Sequence, residues 1–479
     1  MILPELSLTL EDEIHIFAKE IKNYFSKQEL ENIAREVKFV QRKGKLEAWH
    51  FLFLCSFLEV EVAKDTLQTL CSRIGAKLDI IVSKQAINQR FTNMCTEFLK
   101  KIFRKLMKDT IKSRVSIKSN IDNHFKRIRI LDSTGFQLPE KYSDIYPGSG
   151  GNASSAGVKV QLEYELKSGE FLNIDFFSGK DSDCSYSKTL GSTIQKDDLI
   201  LRDLGYFDLD EFEIINKKSA YYISRVKANT KVYILNKNIE YFKNGSPKKG
   251  SIYEEIDLVE IMENMKTAET IEIKEAFVGE EKKLPTRLVI YKHTEKELVK
   301  ITNSVKKESK KKGKQKSEKT MKLLGLCVYM TNISNQVLKN EEIHDIYSLR
   351  WQVELIFKTW KSIYNMEKVR NVKLDRFECQ LYGKLILVLL SSTITFRIRA
   401  ILLIKKKKEI SEIKVTSIIC EYLESLYFKI INSPNKVCNI LSIIFQDVCK
   451  NGKKSHKKDK PTVFDILGVR YNNGSDLVA

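Results

Sequence analysis

Along the first 125 positions, apolar residues recur at steps of three and four, the spacing of one helix face. Ser26 and Glu29 in SKQE stand at capping-box spacing. The run EAWHFLFLCSFLEV (47–60) is apolar enough for a core helix. Ser83 is placed to cap a long helix on which Ile87, Phe91, Met94, Phe98, Ile102 and Leu106 share one face. Lys100, Lys101, Arg104, Lys105 and Lys108 take the opposite face. The segment SRIGAKLDIIVSKQAINQRF (72–91) gives a helix end, a Gly, a linker and a new helix. That order is compatible with a DNA-reading helix-turn-helix, but the linker is longer than usual for that motif, which favours an ordinary helical hairpin.

The pattern changes at residue 126. RIRILDS (127–133) predicts a short strand ending in Asp, followed by the Gly/Ser-rich loop GSGGNASSAG (148–157). VKVQLEYEL (158–166) and FLNIDFFSG (171–179) alternate around a turn at Lys167–Gly169, a hairpin pattern. DDLILRDLGYFDLDEF (197–212) reads as strand, Asp, helix, and SAYYISRVK (219–227) as another strand. Hairpin, strand, helix and strand in that order predict an α/β core with a mixed sheet over 126–228 and 330–375. Short strand patterns at 231–235, 270–278 and 287–293 mark a β-rich insertion over 229–329. Within it, KKESKKKGKQKSEK (306–319) predicts a mobile basic loop. One long helix is expected over 341–363, and a helical region over 376–479 ends in the basic tail KNGKKSHKKDKP (450–461).

Composition narrows the function classes. The 479 residues allow about three domains, and 42% hydrophobic content excludes a disordered chain. A net charge of +20 points to a polyanionic partner; an AT-rich genome, which inflates Lys, is the bland alternative. Nine scattered Cys form no Cys-x-x-Cys pair and the six His are dispersed, so no zinc site is expected and a reducing cytoplasm fits. The N-terminus lacks a signal-peptide pattern. The longest apolar run, LILVLLSSTITF (385–396), is too short to span a bilayer, so a buried helix and no membrane are expected.

The candidate chemistry lies in EEIHDIYSLRWQVELIFKTWKSIY (341–364). On one continuous helix Tyr347, Arg350, Glu354 and Lys361 would fall within roughly 60° of arc, beside an apolar stripe that includes Leu349, Val353, Phe357 and Trp360. An amphipathic helix with a surface Arg350–Glu354 pair would show the same row. Asp132 and Asp203 add to it, since each follows a predicted strand, where open α/β sheets place their sites. Three converging carboxylates would repel one another unless cations neutralised them. Three can hold two Mg²⁺ ions about 3.5–4 Å apart and clamp an in-line phosphoryl displacement.

LDSTGFQLP, RDLGYF and the set Tyr347, Arg350, Glu354 and Lys361 resemble the DDE transposases of the insertion-sequence family marked by a Tyr-Arg-Glu-Lys signature. ISRVK (223–227) and TN (331–332) also look like that family's landmarks, and the likeness runs from about 126 to 370. It implies a ribonuclease-H-like core interrupted by a β-rich domain, with Asp132, Asp203 and Glu354 as catalytic residues and metal ligands. It implies two Mg²⁺ ions, with Mn²⁺ as a substitute. Arg350, Lys361 and Tyr347 would contact DNA phosphates, with Lys159 and Arg225 as lesser candidates. The partners implied are double-stranded DNA, as transposon ends and target, and a second copy in a DNA-bound homodimer. The helical segment 1–125 would bind transposon ends, 376–479 would be a candidate for dimerisation, and the setting would be the bacterial cytoplasm and nucleoid. Two rivals share the pattern: a metal-dependent nuclease without strand transfer, and a non-catalytic DNA-binding derivative of a transposase.

Overall fold

A computed structural model of the chain describes residues 9–42, 44–108, 119, 121–150, 154–313, 317–455 and 461–469. Residues 151–153 of the Gly/Ser-rich loop, 314–316 of the Lys run and 456–460 of the basic tail lie outside them. The chain divides into two compact units. A strand-rich unit holds 120–132 and 182–351; a helix-rich unit holds 1–119, 133–181 and 352–479.

The strands in chain order are β1 (Arg127–Leu138), β2 (Ala156–Glu165), β3 (Phe171–Ser178), β4 (Asp198–Arg202) and β5 (Tyr221–Arg225). Then come β6 (Val232–Leu235), β7 (Tyr253–Glu255), β8 (Thr270–Val278), β9 (Leu284–Lys292) and β10 (Leu326–Thr331). In the strand-rich unit their order is β1-β4-β5-β10-β9-β8-β6-β7. β1–β4 and β4–β5 pair in parallel, and the remaining pairs are antiparallel. The fold is therefore mixed α/β, as the sequence predicts. Ile200, Tyr222, Leu288, Ile290 and Met330 form the core with Phe212 and Ile215 of the helix Leu209–Lys217.

The β1–β4 register rests on a buried charge cluster. Asp198 accepts from Arg127 Nε at 2.7 Å and from Arg129 Nη1 at 3.0 Å, and also from the Gln195 backbone N–H at 2.9 Å. Arg129 donates as well to the Thr193 carbonyl oxygen at 2.8 Å. Burial pushes the Asp198 carboxyl up, but the donors from Arg127, Gln195 and Arg129 outweigh it and hold the group below its ordinary value.

In the helix-rich unit β2 and β3 form the expected antiparallel hairpin. Its turn is held by Glu165, which accepts from the Ser168 N–H at 2.6 Å and the Lys167 N–H at 3.1 Å. Gly169 takes the left-handed φ of 73° that the turn demands. The twelve-residue apolar run belongs to a much longer helix, Leu374–Lys406. At 33 residues it is long and apolar enough to cross a membrane, yet 89% of its most apolar window is buried against protein. Gly383 lets it approach the π-helical turn Phe53–Phe57, because a Cβ there would collide with the Cys55 carbonyl.

Four expectations need correction. The helix after Ser83 is two helices, Lys84–Arg90 and Asn93–Lys108. Ser83 does cap the first, but the backbone turns extended at Phe91, which buries that ring and leaves Met94 40% exposed. Residues 306–312 of the Lys run are helical, within Glu295–Lys312, which starts at a Thr294/Glu297 capping box and ends at Gly313. Lys and Glu are strong helix formers, so a charge run is no sign of a loop. β1 does not end near Asp132 but runs on to Leu138. The helix expected over 341–363 is broken into Asn340–Ser348, a 3₁₀ turn at Leu349–Trp351, and Gln352–Ser362.

Asp198→Ala leaves the buried Arg129 guanidinium and the partly exposed Arg127 guanidinium short of their counter-ion, so it is expected to cost about 3 kcal/mol in chemical denaturation. The depressed Asp198 carboxyl adds stability that is complete above the ordinary Asp value of about 3.9 and fades as the pH falls below it. Denaturation midpoints should therefore drop in acid for the wild type and respond less to acid in the variant.

Candidate active site

The last registered pair of β1 and β4 is Leu131 with Arg202. The next residues are Asp132 and Asp203, so parallel pairing brings both carboxylates out at one level. β4 stops there, and Asp203 caps the 3₁₀ turn Leu204–Tyr206 in extended conformation. This is the carboxyl end of β4 and of its parallel pairing with β1, although β1 itself runs on; open sheets carry their sites at such strand ends.

Arg350 lies between the two acids. Its Nη1 donates to Asp132 Oδ2 at 2.8 Å, and its Nη2 stands 3.9 Å from Asp203 Oδ1. The Arg350 side chain is 8% exposed, against 46% for Asp203. A chain of contacts fixes Arg350. Arg287 on β9 donates to the carbonyl oxygens of Ile333 and Leu338 at 2.9 and 3.0 Å, and to Asn340 Oδ1 at 2.5 Å. That anchors the start of the helix Asn340–Ser348, whose Ile343 and Ile346 are buried. Near its end, the Tyr347 hydroxyl donates to the Arg202 carbonyl oxygen at 3.2 Å. The 3₁₀ turn then directs Arg350 to the acids.

Burial raises the Tyr347 phenol far above its ordinary value; Arg350 opposes that rise and Asp203 adds to it. The group is a protonated donor at any working pH. Arg225 on β5 is half-buried beside the same cluster. Burial works against its charge, but Cys327, Tyr347, Tyr329 and Asp203 together raise its pKa. Its buried Nε has no hydrogen-bond partner among the described residues. The strand-rich unit thus brings together Asp132, Asp203, Arg350, Tyr347 and Arg225.

The other three candidates belong to the helix-rich unit. Glu354 is half-buried in the first turn of Gln352–Ser362, where the helix dipole favours a negative charge. The apolar stripe of that helix is inside as expected, with Val353, Phe357 and Trp360 buried. Lys361 in its last turn donates to the Gly135 carbonyl oxygen at 3.3 Å. Lys159 on β2 donates to the Asp181 carbonyl oxygen at 2.6 Å. Among the described residues no group of three or more His, Cys, Asp or Glu side chains is placed to hold a metal ion.

The Asp132–Asp203 pair nonetheless suits a hard divalent cation. It offers oxygen donors only, one of them half exposed, and it already holds a cationic group between the two carboxylates. Besides Arg287, two contributors escaped the sequence reading. Arg202 supplies the carbonyl for Tyr347 and forms a buried pair with Glu211 at 3.4 Å, and Asp198 sets the register. The available signal was a charged residue at each end of an otherwise apolar strand.

A family model described as the transposase DDE domain matches residues 123–390, a span that contains all eight candidate residues. Over 466 residues the chain is 43% identical to the transposase for insertion sequence element IS231E of Bacillus thuringiensis subsp. finitimus. That likeness covers 97% of this chain and 98% of the relative. The chain belongs to the DDE transposase family. It is also 39% identical over 455 residues to the transposase for insertion sequence element IS1151 of Clostridium perfringens, covering 94% of this chain and 95% of that one. A solved piggyBac transposase synaptic complex with hairpin DNA is 11% identical, with a TM-score of 0.44 over 94% of this chain and 87% of that one. As a transposase the chain is an enzyme, and neither rival reading is favoured by its relatives.

In this transposase, Tyr347→Phe removes one buried hydrogen bond and leaves the Arg202 carbonyl oxygen without that donor. A loss of about 1 kcal/mol is expected in thermal or chemical melting. Because the phenol stays protonated, pH–rate profiles of wild type and variant should share their alkaline limb.

Proposed function

We propose that this transposase binds the terminal inverted repeats of an insertion sequence, cleaves the DNA ends and joins the freed 3′-hydroxyls to target DNA by two-metal phosphoryl transfer. The observation that carries this reading is the Asp132–Arg350–Asp203 arrangement just past the end of the parallel β1–β4 pairing. Asp132, Asp203 and Glu354 would hold two Mg²⁺ ions, with Mn²⁺ able to replace them. Bound there, the ions would lower the pKa of the attacking water or 3′-hydroxyl and neutralise charge on the leaving oxygen.

The chain's own cations would bind and orient the DNA. Arg350 and Arg225 present guanidinium donors beside Asp203, suited to phosphate oxygens near the scissile bond. Lys361 and Lys159 would contact the backbone further out. The Tyr347 hydroxyl already serves Arg202, so we assign this residue to positioning Arg350 rather than to phosphate contact. The fold would be a ribonuclease-H-like core, 126–228 and 330–375, interrupted by the β-rich segment 229–329. The helical segment 1–125 would bind transposon ends and 376–479 would support a homodimer, since two ends need two active sites. A cytoplasmic, nucleoid-associated setting follows from that substrate.

Asp132→Asn, Asp203→Asn and Glu354→Gln should each lower end cleavage and strand transfer by at least about 100-fold while leaving DNA binding within a few-fold of wild type. Chelation should abolish both reactions, and added Mg²⁺ or Mn²⁺ should restore them. Joined product from pre-cleaved ends is expected. Cleavage without joining would replace the transposase reading by that of a nuclease, and full activity in Glu354→Gln would overturn the ligand assignment.

A further inference from the structure

Between β6 and β7 the strand-rich unit carries a finger, Asn236–Ser251, whose residues 240–250 are all exposed. It is ordered by its own hydrogen bonds. Asn236 N–H donates to the Ile252 carbonyl at 2.9 Å, Lys248 N–H to the Glu240 carbonyl at 2.7 Å, and Phe242 N–H to the Ser246 carbonyl at 2.8 Å. Tyr241 bridges to Pro247 across the finger. The Asn244–Gly245 tip is closed by Gly245 at φ 81° and by Asn244 Oδ1, which accepts from the Ser246 N–H at 3.1 Å.

This rigid tip holds two large rings in water. Tyr241 is 60% exposed and Phe242 54%, and neither meets another ring among the described residues. Lys237, Lys243, Lys248 and Lys249 lie on the same finger and are exposed. The finger's single acid, Glu240, is taken by Lys248 at 2.8 Å. Lys237, Lys243 and Lys249 make no ion pair among the described residues. Exposed apolar surface held in place by hydrogen bonds is not a by-product of disorder. Rings among uncompensated ammonium groups match a partner with flat apolar faces inside an anionic shell, which is nucleic acid.

We propose that the tip of this finger is a wedge for double-stranded DNA, with Tyr241 and Phe242 entering a base-pair step and Lys243 and Lys249 on the flanking phosphates, so that the bound duplex is bent. This rests on the DNA-binding reading above and adds a contact away from the carboxylates. The test uses the full-length chain with a labelled mixed-sequence duplex, and with one strand of it alone. Affinity is read by anisotropy and bending by energy transfer between end labels.

Y241A/F242A should weaken duplex binding roughly tenfold or more and straighten the bound duplex, with melting of the protein unchanged. K243A/K249A should reduce the slope of log affinity against log salt by about 2. Wild-type affinity and bend in Y241A/F242A would overturn the wedge. So would a loss confined to the single strand, which would mean stacking on unpaired bases instead. Asp132→Asn should still bend the duplex. If the wild type binds neither probe, the proposed function falls together with the wedge. If it binds and only the finger variants behave as wild type, the wedge alone falls.

Discussion

The arrangement of the candidate site depends on one buried interaction, the hold of Asp198 on Arg127 and Arg129. Parallel strands pair with evenly spaced, slanted bonds, and their register is weakly marked by hydrogen bonding alone. A slip of one residue would turn every side chain of β1 to the other face. Asp198 prevents the slip by engaging Arg127, its own register partner, and Arg129 two positions on. With that pairing set, the carboxylates five residues downstream, Asp132 and Asp203, emerge together. An ion cluster with nothing to do with catalysis thus specifies where the acids appear. Buried ion pairs add little net stability, and fixing register is their better-attested use.

The paired acids create an electrostatic demand that Arg350 meets. Two carboxylates on adjacent strands raise each other's cost of ionisation unless positive charge lies between them. The guanidinium contacts Asp132 closely and Asp203 loosely, at 2.8 and 3.9 Å. That asymmetry leaves the more exposed Asp203 the easier of the two to recruit to another cation. The 3₁₀ turn at Leu349–Trp351 belongs to this design. It tightens the chain after Tyr347, whose hydroxyl is committed to the Arg202 carbonyl.

How much of this was legible follows from which interactions are local. The hairpin of β2 and β3 was readable because alternation and a Gly turn are short-range signals. The Asp203 context was readable too, since strand, Asp and helix follow one another between Asp198 and Lys217. The extension of β1 past Asp132 was not, because it depends on pairing and not on the residues themselves. The break at Phe91 was hidden for a similar reason. An uninterrupted apolar periodicity fits one helix or two, and the burial of the Phe91 ring decides between them. In the Tyr347–Lys361 row, spacing found the right residues with the wrong geometry, because it assumed a continuous helix. Arg287, which anchors the approach to that row, lies some sixty residues upstream by sequence numbering and gives no local sign of its role.

Net charge is the weakest guide to where DNA lies on this chain. The helix Asn93–Lys108 carries a dense basic face, yet Lys100 pairs with Glu97, Lys101 with Glu36 and Lys105 with Glu29. Lys231 and Lys282 are likewise engaged by Glu255, Glu280, Asp210 and Glu213. Charges already paired release few counter-ions on binding DNA, and surface pairs of this kind contribute little to stability. A phosphate-binding surface is better sought where ammonium groups lack acidic partners and sit beside apolar faces that bases can use. By that criterion a short finger with Lys237, Lys243, Lys249 and two exposed rings outranks a helix with more lysines, because its charge remains available to a polyanion.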